Sequence, residues 1–154
     1  MRFSRRALVI LTTLASLIGA NLLISTPAQA ATSCSGTVTH RQSFSYPGEG
    51  VIGELTIYYN SSNGGTNSAC FYHRGQSYGV AANTYVAIYR CSQTSGEGNE
   101  CHNVTAGTPD EGRYASYAGP VGVTGTANYC VGAIGWIEWH GTNIGVFTPF
   151  TRGC

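Results

Sequence analysis

The chain has 154 residues, six cysteines and eight arginines, with no lysine at all. Arg2, Arg5 and Arg6 crowd the N-terminus; from residue 31 onward five arginines meet seven acidic side chains, a formal charge of −2. That surface argues against a nucleic-acid binder, which needs dense positive charge, and it offers no polybasic patch for a membrane. The length fits one domain and is too short for two good cores.

Residues 1–30 read as an export signal. A basic start is followed by an apolar stretch over residues 7–24, then Pro27 and the A-x-A site Ala28-Gln29-Ala30. The competing reading, a membrane anchor, is disfavoured by Thr12, Thr13, Ser16 and Asn21, which dilute the apolar stretch, and by the small-residue cleavage site. The expected product is a secreted domain over residues 31–154 with no stable membrane insertion after cleavage. Ser4-Arg5-Arg6-Ala7-Leu8 also carries a partial twin-arginine pattern, so the export route stays open.

Past residue 30 the composition is rich in Gly, Tyr, Thr, Val, Ser and Asn, and Leu55 is the sole leucine. Helices are poorly served by such a mixture, whereas strands are well served. Leu55, Ile57 and Tyr59 alternate with Glu54, Thr56 and Tyr58, which predicts a two-faced strand. Ser61-Ser62-Asn63-Gly64-Gly65 tolerates positive φ and predicts a reversal, with residues 69–73 as the returning strand. Residues 85–91 form a β-branched and aromatic run, expected as a central strand buried on both faces. Residues 113–117 and 121–124 flank Gly119-Pro120, an expected bend or edge position. Residues 129–139 make a long apolar run whose Gly132 and Gly135 predict bulges or close approach of another backbone. Residues 144–150 close the chain. Seven or eight short strands at this spacing predict an all-β fold, a small antiparallel sandwich or barrel.

All six cysteines (Cys34, Cys70, Cys91, Cys101, Cys130, Cys154) follow the leader, and an even count in a small exported domain predicts three disulfides. No C-x-x-C or H-x-x-x-H pair supports a metal site, and no organic cofactor is implied. Cys91 and Cys101 bracket a Gly/Ser/Asn-rich loop and are the most local pair. The most economical partner for Cys154 is Cys34, which leaves Cys70 for Cys130; other pairings stay open.

Catalytic patterns are thin. Gly75-Gln76-Ser77-Tyr78-Gly79 matches the nucleophile elbow, and Asp110 and His140 follow in the right order. The elbow needs a helix after the serine, and the sequence beyond Val80 is β-type, so a turn between strands is expected. The histidines (His40, His73, His102, His140) are scattered and read as partly exposed surface residues. A small secreted hydrolase would need His140 or His73 to meet a carboxylate in a cleft. Aromatic side chains suggest a different chemistry. Ten tyrosines and two tryptophans are available to stack on sugar rings, with Tyr58, Tyr72, Tyr89, Trp136 and Trp139 as candidates and Tyr78 as a further one. The plainer reading is that tyrosine fills core and edge positions where leucine is missing.

Three stretches together resemble a known family. They are residues 53–64 (GELTIYYNSSNG) followed by Asn67-Ser68-Ala69-Cys70; Tyr117-Ala118-Gly119-Pro120-Val121 followed by Cys130; and the C-terminal Cys154. With Cys34-Ser35-Gly36, the chain resembles the spore-associated protein A family of small secreted actinobacterial proteins. The resemblance implies an extracellular or spore-surface location and supplies no catalytic residues. It matches Cys34, Cys70, Cys130 and Cys154 to family positions and leaves Cys91 and Cys101 as an addition, which implies that these two pair with each other. The expected function is a non-enzymatic, extracellular or surface-associated protein. The alternatives are a module binding cell-wall or spore-surface polysaccharide and a small hydrolase.

Overall fold

The computed structural model describes residues 33–154. The export signal expected over residues 1–30 lies outside them. Among the described residues no helix is long and apolar enough to cross a membrane.

Among the described residues nine strands follow one another: β1 (Thr37–Tyr46), β2 (Gly50–Asn60), β3 (Thr66–His73), β4 (Ala82–Cys91), β5 (Asn103–Ala106), β6 (Asp110–Tyr114), β7 (Tyr117–Thr124), β8 (Val131–Trp139) and β9 (Thr142–Val146). They form two antiparallel sheets. One has the order β1-β2-β3-β7. In the other, β4 pairs with β8 on one side and with β5 and β6, end to end, on the other, while β9 forms the far edge beside β8. Composition predicts an all-β antiparallel sandwich or barrel, and the two sheets observed are the sandwich. The reversal after β2 uses Asn63, Gly64 and Gly65 at φ 56°, 70° and 87°, the left-handed region that the Asn-Gly-Gly sequence tolerates.

The sheets close on one core. Ile52, Leu55, Ile57, Ala69 and Phe71 from the first sheet meet Val86, Ile88, Ala133 and Ile137 from the second. Phe71 is fully buried, and its ring lies where a Cβ on Gly53 or on Gly135 would be, 2.6 and 2.7 Å from ring carbons. Two glycines thus make the slot for the largest core side chain. Gly132 serves the other face: a Cβ there would stand 2.9 Å from Cys101 and from Pro149, so its bareness lets the C-terminal segment and the Cys101 loop lie against the sheet.

Two sequence expectations need correction, the burial of β4 and the long-range disulfides, while a third holds. Residues 85–91 are central, but only one face of β4 is fully covered; Tyr85 and Tyr89 are half-buried on the other. Gly119-Pro120 lies within the edge strand β7, an edge position, as expected for a residue with no N–H to donate to a neighbour. The disulfides are Cys34–Cys70, Cys91–Cys101 and Cys130–Cys154, so the local pair is as expected and the Cys34–Cys154 and Cys70–Cys130 pairings are not formed. Residues before β1 cross the outer face of the first sheet, where the Ser68 hydroxyl donates to the Ser33 carbonyl at 2.6 Å, and this brings Cys34 onto Cys70. The C-terminal segment instead pairs with β8 through Val131 and Arg152, which sets Cys154 beside Cys130. Cys70 lies on β3 of the first sheet, whereas Cys130 immediately precedes β8 of the second.

Candidate functional site

The outer face of the five-stranded sheet is built by alternation. Along β4, Asn83, Tyr85 and Tyr89 point away from the core while Thr84, Val86 and Ile88 point into it. Register then decides their neighbours. Tyr85 stands opposite Trp136 on β8 and Glu111 on β6; Asn83 stands opposite Arg113 on β6; Glu138 stands opposite Asn143 on β9. Two rows result, one aromatic and one polar.

In the aromatic row the Tyr85 and Trp136 rings are stacked, 5.6 Å between centroids and 6° between planes. Both are half-buried on the outer face, so the pair is partly open to solvent. Gly145 sits opposite Trp136 on the edge strand and places no side chain beside the indole. Burial pushes the Tyr85 phenol above its ordinary pKa, with the neighbouring Tyr89 hydroxyl acting in the same direction. The Tyr85 hydroxyl therefore stays a neutral hydrogen-bonding group at ordinary pH. In the polar row the Asn83 amide donates to Glu138 at 2.7 Å.

This row runs into a cleft of about 260 Å³ bordered by Ala82, Asn83, Arg113, Glu138, Trp139 and His140. Glu49, from the β1–β2 turn, holds the cleft's end in place. Its carboxylate accepts from the Trp139 indole and from His140 Nε2, each at 2.8 Å. The indole hydrogen bond is the main reason its carboxyl titrates below the ordinary carboxylate value, and the His140 contacts add to it. A histidine does meet a carboxylate beside a cleft here, but both carboxylate oxygens are engaged.

The five aromatic candidates do not form one site. Tyr89 and Trp136 share the outer face just described. Trp139, on the opposite face of β8, is 8% exposed and belongs to the core. Tyr58 and Tyr72 lie on the outer face of the other sheet, their hydroxyls 2.7 Å apart. Tyr78 is well exposed in the turn before β4. Tyr85 and Asn83, central to the site, were not singled out from sequence. The alternation of Tyr85 and Tyr89 was a visible signal, but without the β4–β8 register nothing placed Trp136 and Glu138 beside them.

The nucleophile-elbow pattern folds as a turn. Ser77 is fully buried; its hydroxyl donates to the Ile52 carbonyl at 2.5 Å and accepts from the Arg74 amide at 3.0 Å. Asp110 is occupied elsewhere, by the Tyr114 hydroxyl and the Gly119 amide. His73 departs from the expected exposed histidine: it is fully buried, with Nδ1 3.2 Å from the Ser77 carbonyl and Nε2 2.7 Å from the Thr84 hydroxyl. A carbonyl only accepts, so Nδ1 carries the proton and Nε2 accepts from Thr84. Compared with family models, with curated proteins and with solved structures, the chain finds no match.

Proposed function

We propose that the protein is an exported, non-catalytic component of the cell exterior that binds polysaccharide through the outer face of its five-stranded sheet. The observation that carries this reading is the half-exposed, parallel Tyr85–Trp136 pair beside the Asn83–Glu138 pair. A pyranose ring has an apolar face that suits an aromatic flank, and its rim of hydroxyls needs donors and acceptors within reach. Asn83, Glu138 and Arg113 supply both kinds. Three disulfides suit a domain that folds and persists in an oxidising environment. The family resemblance adds a spore or cell surface as the place of action.

Binding is favoured over hydrolysis by the state of Glu49. A glycosidase acid needs a raised pKa and a proton to give, whereas the Trp139 and His140 hydrogen bonds keep this carboxyl ionised. The test is retention of the oxidised mature protein on purified cell wall, chitin and cellulose, with reduced protein as control. Retention on at least one polymer is expected, weakened about tenfold by Trp136→Ala, or about 1.4 kcal/mol. Absence of retention on all three, or full retention by the variant, overturns the reading.

A further inference from the structure

The outer face of the four-stranded sheet carries a second constellation of different character. One row crosses the whole sheet: Ser43 on β1, Glu54 on β2, Tyr72 on β3 and Tyr117 on β7. Tyr72 and Tyr117 rings lie 5.7 Å apart, and the Arg74 guanidinium sits 4.5 Å over the Tyr72 ring. Tyr58 meets Tyr72 hydroxyl to hydroxyl at 2.7 Å. Only one of those two O–H groups can be used between them, so the other remains a donor for something else. Glu54 binds Arg74 at 2.9 Å and Arg41 at 3.4 Å through the same oxygen.

The charges set this face apart. Arg41 and Arg74 against Glu54 leave it at +1, in a domain whose overall charge is −2. Arg41 contacts Glu54 through Nε, and its side chain is 56% exposed, which leaves its guanidinium largely open to solvent. On the opposite face Glu111 and Glu138 against Arg113 leave −1. The N-terminal segment covers Ser68 and Cys70 on the first sheet, while Tyr117 remains 41% exposed.

We infer that this face is a second binding site, for a polyhydroxylated polymer bearing anionic groups, either phosphodiester or carboxylate. Tyr117 supplies the exposed aromatic surface, the Tyr58–Tyr72 pair a hydroxyl donor, and Arg41 the counter-charge. The two outer faces of a sandwich point in opposite directions, so a chain of each kind can be held at once. The protein then bridges a neutral and an anionic polymer. The bridging step rests on the function proposed above; the second site does not.

The test titrates the oxidised protein with poly(glycerol phosphate), with polygalacturonate and with soluble chitin oligomers. At least one polyanion is expected to bind, more weakly as salt screens it. Arg41→Ala should weaken that binding about fivefold, as loss of one exposed charge contact of up to about 1 kcal/mol implies, and leave chitin binding unchanged. Trp136→Ala should do the reverse. Turbidity is expected only when both polymers are mixed with the unsubstituted protein. Retained thermal midpoints show that the variants are folded; Arg41 is exposed and bears no core contact. No polyanion binding, or polyanion binding indifferent to Arg41 and salt, overturns the second site. Polyanion binding with no retention on cell wall, chitin or cellulose overturns the first site and leaves this one standing.

Discussion

His73 and Glu49 show how single polar side chains join the two sheets. His73 reaches from β3 to Thr84 on β4, and burial, the dominant cause, lowers its pKa below the ordinary 6.5. In the unfolded chain it binds a proton near that value; in the folded protein it resists. Its contribution is complete above about pH 6.5 and is lost progressively as pH falls from there toward the lowered folded value. We expect the thermal midpoint to decline over that window, and His73→Gln to flatten the decline; an unchanged slope in the variant refutes the assignment. Glu49 acts at lower pH, with the same sign. Its pKa is depressed below 4.5 chiefly by the indole hydrogen bond, so its contribution holds above that value and disappears in acid. Glu49→Gln should lower the thermal midpoint at neutral pH more than at pH 3, and tryptophan emission should report the altered Trp139 environment. The burial of His73 could not be read from sequence, where the histidines read as partly exposed surface residues. A buried histidine is recognisable only once its partners on another sheet are known.

Strands were legible wherever alternation or a β-branched run was long: β2, β3, β4 and β8 lie close to their expected positions. β1 and β5 were missed because TVTHRQSFSY and NVTA hold few apolar side chains, and their places depend on pairing with β2 and β4. Glycine within strands was the better clue. Gly135 and Gly53 admit the Phe71 ring, and their bareness is a steric requirement of that packing. Gly135→Ala should destabilise the protein by about 1–3 kcal/mol through overpacking, measured as a lower denaturant midpoint. Gly135→Ala combined with Phe71→Leu should recover part of the loss, because the shorter side chain frees the slot. A double variant less stable than the sum of both single changes would contradict the geometry.

Across the whole molecule, three bridges secure a core that is small for its length. They close sequence separations of 36, 24 and 10 residues. In the chain-entropy picture these contribute about 4, 3.5 and 2.5 kcal/mol, which together match the total stability of an ordinary domain. Replacing Cys34 and Cys70 by alanine should therefore cost most in the denaturant midpoint, Cys130 and Cys154 next, and Cys91 and Cys101 least. Full reduction should unfold the chain at moderate temperature, read as loss of β-type circular dichroism. The all-β class, the even cysteine count closed into bridges, and the local Cys91–Cys101 pair followed from residue types and near neighbours, because propensity and short loops are properties of contiguous chain. Which aromatics share a face, which cysteines meet at long range, and where the two arginines gather on one surface depend on register between strands far apart in sequence. A shift of one residue would turn Trp136 inward and Trp139 outward, and no local pattern in residues 131–139 states which strand β8 will lie against.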